Sequence, residues 1–580
     1  MEPTRDYLAI AAEYCSQVID GTIPACRWVR LACQRQVNDL KRPASESWPW
    51  HFSAKHASRV CKIAEMLPHI KGRWKTRCIT LEPHQIFRFT TIFGWVDAEG
   101  FRRFLDVYIE MPRKSAKSTE TAVAALACMT EGEPGAEIYA LATKKDQARI
   151  VFDTARRMVM KEPGIRRRFG LEVEKHRIFV EDGATEFKAL SSDEDGLDGL
   201  NIHFASLDEL HAHKSRAVHD VVDSATGSRR QPLKWRITTA GFNQQGVCYE
   251  QREYVTKILE GVHSDDRYFG IIYSIDGPVK NADGTITPGD DWRLEATWKK
   301  ANPNYGVSVL PSDIAALARK AIQSARSQTN FLTKRLDVWC NSSEAFYNMD
   351  AWLHKCARPQ VTLAEFEGKQ CWIGLDLSSK CDITAKVRIF RRIEKDEIKG
   401  KIIEQPHYYV FCEHYLPDSV LEGDDNLNTQ QYTEWRDRFT LTPGPAIDYA
   451  VIEDGLVEDF RRFRVQGVNF DPWNADQLRQ NMEKKGGKDK MLECRMGVQT
   501  LSDPMKESEV LILAGRLHHD GDPVLTWAVS NVVGRLDAKD NVYPRKDKPE
   551  KKIDPAVAMI MALRGAVVVK KPTQPGFLLL

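Results

Sequence analysis

Residues 103–127 read RFLDVYIEMPRKSAKSTETAVAALA. An apolar run at 104–109 enters a short basic turn, and an Ala-rich pattern of helical spacing leaves it near Ser118. A strand, a turn of phosphate size ending Lys-Ser, and a helix make the architecture of a P-loop. Backbone N–H groups at such a helix start and the Lys117 ammonium face one point, which favours an anion there. The strict pattern G-x-x-x-x-G-K-[ST] asks for glycine where this chain has Met111 and Ala116. On spacing alone a solvated basic loop competes with this reading, so the rest of the chain has to supply the other parts of a nucleotide motor.

The chain is long enough for them. At 580 residues it is expected to form several domains. Lys and Arg total 83 against 81 Asp and Glu, so nucleic-acid contact has to come from local basic patches rather than a bulk field. The 13 cysteines are scattered, with no C-x-x-C pair, which argues for reduced thiols and against a zinc or disulfide framework. The first ten residues carry acids and no apolar core, unlike a signal peptide. No run of about 18 apolar residues occurs, so no membrane span is expected.

Upstream of the turn, apolar spacing predicts helices at 7–18, 26–40 and 55–67, with Cys26, Cys33 and Cys61 facing the interior. Gln85, in the run LEPHQ, has two readings: an amide that recognises adenine, or an exposed polar residue in a helix N-terminal turn. Downstream, a buried strand at 137–142, an amphipathic helix at 146–160 and a hairpin at 177–190 turning around Asp182-Gly183 set a βαβ rhythm, hence a parallel sheet covered by helices.

The companion to the turn is IHFASLDE, residues 202–209. An apolar strand ending in two acids puts Asp208 and Glu209 at the carboxyl edge of the sheet, where ligands of open α/β sheets bind. There Asp208 can orient a magnesium held by Ser118, and Glu209 can position the attacking water. His211, His213 and His219 follow closely, but no fourth ligand has sensible spacing, so they read as ordinary polar residues rather than a zinc site. The strand KWRITTAG at 234–241 ends in small hydroxyl residues, as a γ-phosphate-sensing strand does.

The second half has separate chemistry. Asp376 lies in WIGLDLS, Asp471 ends GVNFDPW, and Asp554 opens the apolar helical run KIDPAVAMIMAL. Three carboxylates on two strands and a helix start are what an RNase H-like nuclease uses to hold two divalent ions. Carboxylate oxygens suit Mg²⁺ or Mn²⁺ better than zinc. Asp471-Pro472 is also a common turn and Asp554 a good N-cap. Asp382 is the candidate fourth acid, and Asp520 reads as a loop charge. Arg545, Lys546, Lys548, Lys551 and Lys552 form a basic loop with two readings, one that meets backbone phosphates beside the acids and one that is simply a solvated flexible loop.

Taken in order, CRWVRLAC at 26–33, PRKSAKS, the acidic strand, GLDLSS, FDPWNA and KIDPAVAMIMAL make the chain resemble the large terminase subunit of tailed bacteriophages, over nearly its whole length. The resemblance accommodates a basic PRK-type turn in place of the strict glycine pattern, with Ala116 remaining a departure that adds a methyl near the phosphates. It implies an α/β architecture: a helical N-terminal region (1–75), an ASCE-type P-loop ATPase domain (76–345), a linker (346–365), an RNase H-like nuclease domain (366–568) and a tail (569–580). It implies ATP bound by Gln85, Arg113, Lys114, Ser115, Ala116, Lys117, Ser118 and Thr119. Mg²⁺ is expected on Ser118 and Asp208, Glu209 as the catalytic acid of the ATPase, and Mg²⁺ or Mn²⁺ on Asp376, Asp471 and Asp554 as those of the nuclease. Arg113 and Arg149 are the candidate arginine fingers. The implied partners are double-stranded DNA, a small terminase subunit and a portal on a prohead, with a homo-oligomeric ring forming in the host cytoplasm. Two other readings share these residues: a repair-type helicase-nuclease, and a DNA-binding structural subunit whose P-loop has decayed.

Overall fold

The computed structural model describes residues 5–567 except 73, 75, 131–132, 181–183, 192–198, 214, 282, 284, 342–344, 379–381, 399, 423–425, 474 and 537–540. The expected turn at Asp182-Gly183 lies outside the described residues. The chain divides into two compact units, the first Met1–Ile322 with Asn330–Cys340, the second Gln323–Thr329 with Asn341–Leu580.

The first unit is built on an eight-stranded sheet. Asp106–Glu110 lies between Tyr268–Ile272 and Leu233–Thr238, all parallel. Ile202–Asp208 pairs with Leu233–Thr238, and Glu137–Ala142 and Glu186–Ser191 extend the parallel run. Arg177–Val180 and Leu171–Val173 close that edge antiparallel. One strand therefore separates the strand that feeds the P-loop from the strand that ends in the acids. All seven residues of Ile202–Asp208 are buried, as a strand covered on both faces must be. The predicted helices appear as Tyr7–Ile19, Arg27–Lys41 and Ala54–Met66. Their buried faces, including Cys26, Cys33 and Cys61, pack into the same core as the sheet rather than forming a separate body.

In the second unit the sheet runs Phe439–Thr442, Lys401–Pro417, Thr384–Ile398, Gln370–Asp376, Arg464–Phe470, Met491–Glu493, and Leu517–His519 pairs with Lys401–Pro417. Gln370–Asp376 is antiparallel to Thr384–Ile398 and parallel to Arg464–Phe470. The helix Asp554–Val567 lies across it, Ala556 through Leu563 all buried. Residues 346–365, expected as a linker, carry Tyr347, Ala351, Trp352 and Cys356 into this unit's core, where burial of their apolar surface ties the segment down.

Candidate functional site

The turn after Asp106–Glu110 delivers the helix Lys117–Met129, whose N-cap is Ala116 with no side-chain cap. Its first turn is thereby left open for an anion. Ala116 adopts φ 61 and Lys114 φ 74, so both occupy the left-handed region. The alanine thus takes the glycine's conformation at the glycine's place, at a cost of about 1–2 kcal/mol for an L-residue. Met111 has no such requirement: its side chain is buried and its N–H donates to the Thr238 carbonyl.

Lys117 is buried and donates to the Met111 and Pro112 carbonyls at 2.9 and 3.1 Å. Burial lowers its pKa, opposed by the charges of Glu209, Asp337 and Asp208, so the lysine and both predicted acids share one pocket. Ser115 Oγ is buried without a partner among the described residues, and Ser118 and Thr119 lie partly exposed on the first helical turn. Arg113, exposed on the turn, donates its backbone N–H to the Lys334 carbonyl and acts electrostatically on Lys117. Lys114 is also exposed there. Arg149 lies elsewhere, on the helix Lys145–Lys161, beside Asp153. Gln85 lies in the helix N-terminal turn but is buried rather than exposed: its Oε1 accepts from the Glu82 N–H in a capping box, which commits the amide oxygen to the helix start.

Asp208 and Glu209 are shifted in opposite directions although adjacent. Burial, reinforced by Glu209, pushes Asp208 up to about 6. Burial also works against Glu209, but the His211 hydrogen bond, Lys117 and Lys334 together hold it down at about 2. Glu209 sits at φ 49, which turns it away from the strand line. His211 Nδ1 meets Glu209 Oε2 at 3.1 Å, and Lys334 Nζ donates to His211 Nε2 at 3.2 Å. The lysine can only donate, so the imidazole carries its proton on Nδ1, toward the carboxylate. Thr239 Oγ1 reaches the same Glu209 oxygen at 3.3 Å, and Thr238 Oγ1 accepts from the His211 N–H at 3.1 Å. The strand read as a phosphate sensor therefore ends against the acid.

Three members of this pocket escaped the sequence reading. Spacing reads His211 as an ordinary polar residue, yet it orients Glu209; its place two residues after the second acid is the one local signal of that role. Lys334 and Asp337 lie over a hundred residues downstream, beyond any local pattern. Asp337, fully buried at φ 59, accepts from the Ala240 N–H at 2.7 Å. A second buried network braces the helix: Arg88 forks onto Glu120 at 2.7 and 2.5 Å and donates to the Tyr273 hydroxyl at 2.6 Å.

In the second unit, Leu375 pairs with Phe470 in parallel register, so Asp376 and Asp471 leave neighbouring strands at the same end. Gly374 lets the helix Asp554–Val567 lie directly on the strand, which brings Asp554 to that end. Burial raises the Asp376 carboxyl well above its ordinary value, with Asp554, Asp471 and Asp382 adding to the shift. Burial and Asp382 raise Asp554 to about 6. The three predicted aspartates and Asp382 thus form one acidic cluster. Asp554 Oδ2 is buried without a partner among the described residues, and the donor set is all carboxylate, which fits hard divalent cations. Asp520 belongs elsewhere, with Asp522 and Arg438.

The basic loop is corrected in part. Lys551 is buried, so it cannot reach a phosphate. Lys552 pairs with Asp382, and Lys546 lies 3.9 Å from the same carboxylate. Attraction to the acids turns these lysines inward.

Two family models match the chain. One described as "Terminase large subunit, ATPase domain" matches residues 83–257, and one described as "Terminase large subunit, endonuclease domain" matches residues 263–569. Protein YmfN of Escherichia coli (strain K12) is 36% identical over 386 residues, 64% of this chain and 79% of that protein. The large terminase subunit of Enterobacteria phage HK97 is 26% identical over 464 residues, 79% of this chain and 86% of that one. The crystal structure of the HK97 large terminase covers 88% of this chain and 99% of its own at 23% identity, with a TM-score of 0.41. Among the described residues no helix is long and apolar enough to cross a membrane. The chain belongs to the terminase large subunit family, as a DNA-packaging motor subunit that joins an ATPase to a DNA endonuclease.

Proposed function

We propose that Lys117, the first turn of Lys117–Met129 and the Asp208–Glu209 pair form the ATPase centre, and that Asp376, Asp471 and Asp554 form the nuclease centre. In the first, Lys117 exchanges its two backbone carbonyl contacts for β- and γ-phosphate oxygens, and the uncapped helix start receives the phosphates. Ser118 and Asp208 would hold Mg²⁺, which would supply positive charge against the phosphates. Glu209, kept anionic by His211, Lys117 and Lys334, orients the attacking water. Arg113 is the finger candidate favoured by its place on the turn.

In the nuclease, Asp376, Asp471 and Asp554 would hold two divalent ions, Mg²⁺ or Mn²⁺, whose chemistry when bound would be to activate a water and to stabilise the leaving 3′ oxygen. Asp382 works from beside them, its charge balanced by Lys552 and Lys546. ATP is the substrate of the first centre; double-stranded DNA is what its hydrolysis moves and what the second centre cuts. A small terminase subunit, a portal and a ring of copies of this chain are the partners this reading requires, with assembly in the host cytoplasm.

The observation that carries the reading is the placement of Lys117, Asp208 and Glu209 at the carboxyl edge of one parallel sheet, the acids one strand away from the strand that leads into the lysine's turn. DNA-stimulated ATP hydrolysis should vanish in Lys117→Ala while Mn²⁺-dependent plasmid cleavage persists. Asp376→Asn should do the reverse. Hydrolysis surviving in Lys117→Ala would reject the ATPase assignment, and a strand-separation assay showing unwinding would favour a repair helicase-nuclease instead.

A further inference from the structure

Far from the nuclease acids, the long hairpin Thr384–Ile398 and Lys401–Pro417 carries a second group of metal-binding side chains. Ala385 pairs with Asp376 in the sheet, whereas Glu394 lies nine residues further along the same strand. At the rise of a strand this separates the two places by about 30 Å. Register fixes which side chains share a face. Arg392 pairs with His407, Glu394 with Gln405, Phe390 with Tyr409, and Tyr409 in turn with His518 on Leu517–His519. Side chains alternate along a strand, so Glu394, Asp396, His407, Tyr409 and His518 all project to one side.

There, His407 Nδ1 lies 2.8 Å from His518 Nε2 and 3.6 Å from Glu394 Oε2. One ligand atom from each of the three residues falls within 4.8 Å of the others, and both histidines are buried. We propose that Glu394, His407 and His518 bind a zinc ion that fastens the hairpin to Leu517–His519. Two imidazole nitrogens and one carboxylate are a donor set zinc accepts, and bonds of about 2.0–2.1 Å in tetrahedral array put ligand atoms a little over 3 Å apart. The groups behind the ligands have the arrangement such sites use. The far nitrogen of His407, Nε2, meets both Asp396 oxygens at 3.1 Å, and Gln405 Nε2 donates to Asp396 at 3.2 Å. The Tyr409 hydroxyl donates to the other Glu394 oxygen. These contacts fall on the far atoms of His407 and Glu394, so to bind at the inward atoms zinc has to displace only the proton shared between His407 Nδ1 and His518 Nε2.

The test uses the full chain, stripped with a chelator and then titrated with zinc in excess Mg²⁺, so that the nuclease acids are occupied. One zinc per chain should remain after dialysis, and cobalt(II) in its place should give the intense visible bands of a four-coordinate site. Asp376→Asn should keep this zinc. His407→Gln combined with His518→Gln should lose it, and Asp396→Ala should weaken it about 10–100-fold. Glu394→Gln, at a partly exposed position, gives a variant least exposed to misfolding and should also bind more weakly. Absence of zinc uptake by the wild-type chain in Mg²⁺, or unchanged stoichiometry in the double histidine variant, would overturn the proposal.

Discussion

The backbone carbonyl of Ala558 lies 1.9 Å from the point where a Cβ on Gly374 would sit. Only a glycine lets the helix Asp554–Val567 approach its strand so closely, and that approach sets Asp554 beside Asp376. Gly374→Ala should therefore push the helix outward, costing about 1–3 kcal/mol as overpacking does. Mn²⁺-dependent cleavage should fall far more than the melting temperature does, while ATP hydrolysis is retained. Paired nuclease, ATPase and thermal-melt measurements check this, and undiminished cleavage would refute the role of the contact.

Ala116 invites the opposite experiment. Its φ of 61 is strained for alanine and relaxed for glycine. Ala116→Gly should stabilise the chain by up to about 1 kcal/mol, the strain relieved exceeding the entropy that glycine adds to the unfolded state. ATP hydrolysis should be unchanged or faster. A lower melting temperature would argue that this residue does not adopt the left-handed conformation in solution.

Arg88 and Glu120 are both fully buried and charge-paired. Arg88→Met alone strands a buried carboxylate and should destabilise by about 3–5 kcal/mol. Adding Glu120→Leu removes the orphaned charge and should recover most of that loss. Denaturant melts of the single and double variants decide it.

Lys334 touches His211, which touches Glu209. Lys334→Met should slow DNA-stimulated hydrolysis by about tenfold or more, equivalent to at least ~1.4 kcal/mol of barrier, with a smaller change in the KM for ATP. A rise in KM at constant kcat would instead make Lys334 a nucleotide-binding residue.

Cleavage should also depend on pH with a definite sign. Asp554 is raised to about 6 by burial and by Asp382, and Asp376 lies higher than its ordinary value for similar reasons. An acid with a raised pKa keeps its proton to higher pH, and that proton must leave before the carboxylate can ligate a cation. Cleavage at fixed Mn²⁺ should therefore climb as pH rises through about 6, and higher Mn²⁺ should shift the climb to lower pH. A profile flat from pH 5 to 8, roughly the window in which a shifted carboxylate titrates, would contradict the clustering.

Much of this molecule was legible from its residues in order. Largely apolar runs that end in charge, at 104–109, 202–209, 372–376 and 467–471, marked buried strands and the sheet edges at which the candidate site residues emerge, because a strand covered on both faces is mostly apolar until it leaves the sheet. The helix behind Lys117 and the helix opened by Asp554 were visible in the same way. Register, close approach and electrostatic partnership were not. That Ala116 would accept the glycine conformation, that Gly374 would seat a helix 180 residues downstream, and that Lys551 would turn inward depended on groups far apart in the chain. The same holds for His211: spacing placed it near the acids, but only its neighbours Glu209 and Lys334 decide what it does. Local pattern reports how each segment meets water; the charge state and orientation of a side chain depend on what else is folded against it.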